Sequence, residues 1–230
     1  MLEVLYEDEY IIAINKPPGI LVHKTWISED KVFLLQMLRD QVGYRPYTIH
    51  RLDRGTSGVI LFAKSTELSG VFSELFMEHK MEKKYLAIVR GWLPAEDIID
   101  YPLSDPESGK HEKLEAITPY KCLAKSEINT AIGLKYKTAR FSLIEANPAT
   151  GRRHQIRKHF AHIDHPIIGD KRHGDVKHNT YFRDLFEINR MCLHASSLHF
   201  VHPVTQEDLY ISADHDDYFE RALEITNLHL

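Results

Sequence analysis

The sequence predicts an α+β fold built on a mixed, largely antiparallel β-sheet flanked by helices. Short apolar runs of strand length outnumber segments with helical spacing. The two kinds are not regularly interleaved, as they would be in a doubly wound parallel sheet. The 230 residues, 43% hydrophobic and 27% charged, suit a core of ordinary size that needs no staples. The two cysteines, Cys122 and Cys192, form no C-x-x-C pair, which argues against a disulfide framework. No apolar run approaches the ~18 residues of a membrane span, and the opening MLEVLYEDEY is acidic where a signal peptide is basic. The expectation is a cytoplasmic protein with no membrane association, forming a single domain over residues 1–230.

The elements follow in chain order. Ile11–Ile14 reads as a strand that stops at Lys16-Pro17-Pro18-Gly19, because two prolines end any ladder. Val32, Leu35 and Leu38 suggest a helix ended by Gly43. Val59–Phe62 is an apolar run of buried-strand length. Leu68, Val71, Phe72, Leu75 and Phe76 sit at i, i+3, i+4, i+7 and i+8, so the spacing predicts a helix, with Ser65 as its cap. Tyr85–Val89 reads as a strand closed by Gly91. The polar stretch Ser104–Lys113, with Pro and Gly, reads as a surface loop or the seam between two lobes. Alternation from Thr138 to Glu145 predicts another strand. Ile156, Phe160 and Ile163 suggest a third helix, starting after Thr150-Gly151.

A net charge of −4 excludes a strongly basic coat, so any polyanion must be held by a local patch. One segment qualifies. Between Gly151 and His178, Arg152, Arg153, Arg157, Lys158, Lys171, Arg172 and Lys177 face only Asp164, Asp170 and Asp175. Clustered base on an acidic chain is the footprint of a phosphate-binding face, though a solvated helix face looks the same. Six histidines share this segment, but there is no H-E-x-x-H and no cysteine near them, so no metal site is expected. Neither G-x-x-x-x-G-K-[ST] nor G-x-G-x-x-G occurs, and His50-Arg51-Leu52-Asp53 lacks the companion motifs of a kinase. Phosphoryl transfer is thereby rejected.

Three segments carry chemistry. In His50-Arg-Leu-Asp-Arg-Gly-Thr-Ser-Gly58, Asp53 sits in a turn-like setting between Arg51 and Arg54, where several N–H and hydroxyl donors can hold one carboxylate ionised. In Lys83-Lys84-Tyr85, the Tyr is either core filler with a wet hydroxyl or a stacking platform for a base. In Thr150-Gly-Arg-Arg-His-Gln-Ile-Arg157, Arg153 and Arg157 are i, i+4 neighbours on the expected helix, and one of them can pair with a buried carboxylate.

These segments, with His165-Pro-Ile-Ile-Gly-Asp170, Asn15-Lys-Pro-Pro-Gly-Ile-Leu-Val-His23 and Leu193-His-Ala195, resemble the motifs of the RluA-type pseudouridine synthases over essentially the whole chain. The resemblance implies a pseudouridine synthase fold with its catalytic cleft between two lobes, and isomerisation of a uridine within RNA without any cofactor. It assigns Asp53 as the essential carboxylate, as nucleophile or base. Arg157 matches the arginine that pairs with it, Tyr85 the stacking tyrosine that helps deprotonate C5, and Ile156 the apolar residue under the flipped base. A stem uridine must be extruded, and Arg51 is the candidate to fill its place, with Arg54 beside it also substrate-binding. Arg152, Arg153, Lys158, Lys171 and Arg172 would supply phosphate contacts. Within the family the likeness is to members acting on tRNA, at U65 of the TΨC stem. The expectation is a chain that begins directly with the catalytic domain, with no separate N-terminal RNA-binding module and no obligatory protein partner.

Overall fold

The computed structural model describes residues 1–23, 31–105, 109–133 and 136–229, without the side chains of 110 and 111. The first half of the chain forms β1 (Glu3–Glu7), β2 (Ile11–Lys16), α1 (Leu34–Val42), β3 (Tyr47–Thr48), β4 (Ser57–Ala63), α2 (Thr66–Met77), β5 (Glu82–Arg90) and β6 (Glu96–Asp100). There follow β7 (Leu103–Asp105), β8 (Lys110–Leu114), β9 (Ile117–Ile128), β10 (Ala139–Ala146), α3 (Gln155–His162), α4 (Val176–Phe186), β11 (Leu193–Val201), β12 (Asp208–Ser212) and α5 (Asp217–Thr226). The sheet is mixed and mostly antiparallel, with one parallel pair, β4 with β11, among the pairings described. The chain divides into two compact units, residues 1–83 with 194–214, and residues 84–193 with 215–230.

In the first unit β2 pairs with β1 and β4, β3 pairs with β4, and β12 pairs with β11. Strand side chains alternate between two faces. Ile11, Ala13, Val59, Leu61 and Ala63 therefore share one face, in a cluster with Phe72 of α2 and Leu198, Phe200 and Ile211. Ile12, Ile14, Ile60 and Phe62 take the other face and are also fully buried. That is why both strands read as unbroken apolar runs. The α2 cap is as expected: the Ser65 side chain accepts from the Leu68 N–H. Helix α1 ends at Gly43, whose N–H bonds the Arg39 carbonyl.

In the second unit β5, β10, β9 and β6 form an antiparallel ladder. Helix α3 covers one face, where Ile156 and Phe160 join Ala87, Val89, Ile144 and Ala146. Helices α4 and α5 cover the other, where Phe182, Phe219 and Leu223 join Ile88, Phe141 and Leu143.

Two expectations need correction. The segment 104–113 is not a plain loop or a seam: it lies inside the second unit and carries most of the β7–β8 hairpin, with 106–108 outside the described residues. Arg153 is not on α3, which starts at Gln155 after His154 turns the chain through φ +55°. A left-handed residue breaks the i, i+4 geometry, so Arg153 and Arg157 go to different partners.

Candidate active site

The turn carrying Asp53 is closed by a Thr56 N–H to Asp53 carbonyl bond of 3.1 Å. Beneath it lies Lys16, a lysine with no solvent exposure. Its Nζ donates to the carbonyls of Thr56 at 2.8 Å, Pro17 at 3.0 Å and Arg54 at 3.3 Å. Three acceptors require the ammonium form, since a neutral amine has only two N–H donors. Burial pulls its pKa from 10.5 down to about 7, and the negative charge of Asp53 opposes that fall. Arg54 lies on the surface, its Nε donating to the Gly19 carbonyl at 2.9 Å, while the Gly19 N–H returns a 2.7 Å bond to the Arg54 carbonyl. Arg51 is exposed beside this turn, and Asp53 itself is half-buried.

The turn runs directly into β4, and that junction is also tied. His194, at the start of β11, is buried and donates Nε2–H to the Ala213 carbonyl at 3.0 Å. Its Nδ1 is then the acceptor for the Ser57 hydroxyl at 2.9 Å. Ser57 and Gly58 pair in parallel with His194 and Ala195. Gly58 sits at φ +104°, and a Cβ there would stand 2.1 Å from the Ala195 carbonyl oxygen. Only glycine allows both the conformation and the approach.

In the second unit Arg157 projects from α3 onto Asp170. Nε meets Oδ2 and Nη2 meets Oδ1, both at 2.8 Å. Asp170 Oδ1 also accepts from the Arg172 N–H at 2.9 Å and the His173 N–H at 3.1 Å. The carboxylate is 1% exposed. Burial alone would raise its pKa; the bonds and charge of Arg157, with the two N–H groups, outweigh burial and hold it below the usual value. The buried carboxylate that Arg157 meets within its own unit is Asp170, a residue other than the Asp53 that the resemblance assigns to it.

Helix α3 is held from below by Gln155, whose amide makes four bonds. Its Oε1 accepts from the Thr150 hydroxyl at 2.7 Å and the Arg152 N–H at 2.9 Å. Its Nε2 donates to the Ile117 carbonyl and the Thr118 hydroxyl, both at 3.0 Å. Ile156 is 7% exposed and belongs to the cluster under α3, against which the half-buried Tyr85 of β5 also packs.

The other cations divide. Arg152 Nε donates to the Glu115 carbonyl, Arg153 pairs with Asp105 at 3.2 Å, and Lys158 Nζ donates to the Ser104 carbonyl at 2.9 Å. All three reach the β7–β8 hairpin or its flank. Lys171 and Arg172 are exposed. The histidines of this segment have structural partners: His154 bonds His173, His159 bonds Thr118 and Tyr101, His162 stacks on Tyr101, His165 bonds the Arg90 carbonyl and His178 bonds Asp175. Among the described residues no group of three or more His, Cys, Asp or Glu is placed to hold a metal ion, and no helix is long and apolar enough to cross a membrane.

Lys16, Gln155, Asp170 and His194 were not singled out by residue chemistry. Each nevertheless stands inside a motif that carries the family resemblance. The signal was there as residue identity without a role.

Comparison with known proteins agrees. A family model described as RNA pseudouridylate synthase matches residues 10–162. A curated tRNA pseudouridine synthase C of Vibrio parahaemolyticus is 48% identical over 229 residues, covering 96% of this chain and 93% of its own. Its namesake in Yersinia pestis is 45% identical, covering 94% of this chain and 88% of its own. In fold, the chain matches human RNA pseudouridylate synthase domain containing 4 with a TM-score of 0.76 at 23% identity, covering 99% of this chain and 94% of that one. Human domain containing 1 matches with a TM-score of 0.73 at 22% identity, covering 94% and 84%. The motifs, the fold and these likenesses agree, and the chain belongs to the RluA-type RNA pseudouridylate synthases, a family of isomerases.

Proposed function

We propose that this enzyme acts on tRNA in the cytoplasm, converting U65 of the TΨC stem to pseudouridine, with Asp53 as its essential carboxylate. The observation that carries the substrate is the 48% identity to a tRNA pseudouridine synthase C across nearly all of both chains. The reaction is redox-neutral: the N1–C1′ bond breaks, the uracil turns, C5 bonds to C1′, C5 gives up its proton and N1 gains one. Asp53 starts the cleavage, by adding to the sugar or by removing a sugar proton. Arg157 supplies positive charge to the reacting site. Tyr85 stacks on the base and takes part in the C5 deprotonation, and Ile156 packs beneath it.

A paired uridine must leave its stem at a cost of a few kcal/mol, and Arg51 fills the gap it leaves, with Arg54 beside it on the substrate. Lys171 and Arg172, both exposed, are the first phosphate contacts. Arg152, Arg153 and Lys158 join them where phosphate replaces their bonds to Glu115, Asp105 and Ser104. Binding that rests on such contacts falls steeply with salt.

The test is pseudouridine mapping in tRNA and ribosomal RNA from cells with and without this protein. Loss of the single mark at U65 of tRNA is expected. Loss of a ribosomal mark with tRNA intact overturns the substrate.

A further inference from the structure

We propose that Asp170 is a positioning residue for the reaction: it fixes the plane of the Arg157 guanidinium, and the loop between α3 and α4 is built to present it. The inference rests on the role of Arg157 given above.

Three observations support it. First, the pair is bidentate, with two nitrogens of one edge on two oxygens at equal 2.8 Å distances. A single bond leaves a guanidinium free to swing, whereas a fork-on-fork contact sets its plane. Second, the carboxylate has no rotational freedom. Its Oδ1 takes two further N–H groups, those of Arg172 and His173, so it cannot turn without breaking them. Third, the backbone that carries it is clamped on both sides. Asn179 accepts from the Gly169 N–H at 2.8 Å and donates to the Asp170 carbonyl at 2.8 Å. Gly174 passes so close that a Cβ there would stand 2.1 Å from that same carbonyl oxygen. A loop whose only task was to connect two helices would need none of these bonds.

The chemistry of the oxygens gives a clean variant. In Asp170→Asn the amide oxygen still accepts from Arg172 and His173, so the loop keeps its shape. The amide nitrogen then faces the Arg157 Nε–H, donor against donor, and the fork is lost.

The experiment compares single-turnover release of tritium from C5-labelled uridine in tRNA with tRNA affinity by filter binding. The chains are the wild type, Asp170→Asn, Arg157→Met and the double variant. The proposal expects Asp170→Asn to slow turnover at least 10-fold while affinity stays within about 2-fold. It expects no further slowing when Asp170→Asn is added to Arg157→Met. The Nε–H resonance of Arg157 gives a second reading, protected from exchange with water in the wild type and exposed in Asp170→Asn. Arg157→Lys keeps the charge and the ion pair but not the fork, and slows turnover as Asp170→Asn does.

A wild-type rate in Asp170→Asn or Arg157→Lys, or losses that multiply in the double variant, overturns the positioning role. A wild-type rate in Arg157→Met overturns the role of Arg157, a distinct result, and the inference with it.

Discussion

The turn that carries Asp53 is gripped through its main chain, by an ammonium reaching the carbonyls of Arg54 and Thr56. The guanidinium of Arg157 is gripped directly, by a carboxylate whose two oxygens meet two of its nitrogens. The first arrangement fixes the shape of a turn through its carbonyls, and the charge of Asp53 helps to keep the gripping ammonium charged. The second makes the functional group itself half of a buried charge pair. A change at position 53 should therefore reach chemistry more than stability, which it touches through the charge of Lys16, while a change at position 157 should reach both. The contrast follows from where the hydrogen bonds end, on backbone in one region and on side chain in the other.

The strongest way to break this contrast is Asp53→Asn. Volume and most hydrogen bonding are kept, yet an amide is neither a useful base nor a useful nucleophile. Turnover should fall by several orders of magnitude, to below detection, with only a modest downward shift of the melting curve by circular dichroism, from the lost support of the Lys16 charge. A large loss of stability would mean that the turn depends on its carboxylate after all.

Arg157→Met should do the opposite in stability. It strands a carboxylate that is 1% exposed, a change worth about 3–5 kcal/mol in denaturant unfolding. Adding Asp170→Asn removes the stranded charge, so the double variant should recover part of that loss. No recovery would show that Asp170 is not the source of the penalty.

Both regions should be acid-sensitive, since burial lowers the pKa of His50, at the head of the Asp53 turn, from 6.5 to about 3. Burial lowers the pKa of His173 from 6.5 to about 4, with the charge of Asp170 opposing that shift, and the unfolded chain therefore binds a proton that the native one refuses. Stability should fall as pH drops from 6.5 towards 4. Asp170, whose pKa is depressed below 3.8, contributes stability that is present above that value and lost only below it. Replacing His173 with Phe should make the upper part of the profile less steep, with His50 carrying the slope that remains, and leave the lower part, measured by urea midpoints at each pH.

Lys16→Met sharpens the other side. It removes one donor from three carbonyls, of which that of Arg54 keeps the Gly19 N–H, and buried unmet acceptors cost about 1–3 kcal/mol. Turnover should slow far less than in Asp53→Asn, because the turn keeps its Thr56 N–H bond and its Gly19 contacts. The smallest effect is expected of Ser57→Ala, about 1 kcal/mol, since His194 loses one bond and keeps its other to Ala213.

The parts that were legible in the sequence are those whose signals are local. The runs at Ile11–Ile14 and Val59–Phe62 became β2 and β4, and Ser65 caps α2 as its spacing required. Strand β9 has no apolar run to read, because the exposed Lys121, Leu123, Lys125 and Glu127 alternate with the inward Cys122, Ala124 and Ser126. Helix α4 buries only Phe182, so its periodicity is too thin to see. In the candidate site, Asp53 and Arg157 were legible through motifs, and a buried carboxylate partner for an arginine was anticipated. That the partner is Asp170, 13 positions on, is tertiary information. So is the separation of Arg153 from α3, which hangs on one left-handed histidine that no local rule marks.

The first unit is split in the chain: residues 1–83 are followed by 110 residues of the second unit before 194–214 complete it. The Ser57–His194 bond spans 137 positions. On a ribosome adding about 5–20 residues per second, roughly 7–30 s separate the synthesis of the two partners. Until β11 arrives, β4 has an open edge and the Asp53 turn lacks its second tie. The second unit, by contrast, has its whole β-ladder and α3 made in one continuous stretch. A growing chain therefore carries a second unit that has its ladder and α3 but still lacks α5, beside a first unit that still lacks β11. Until β11 is made, the open β4 edge is the surface that a nascent-chain chaperone would have to cover.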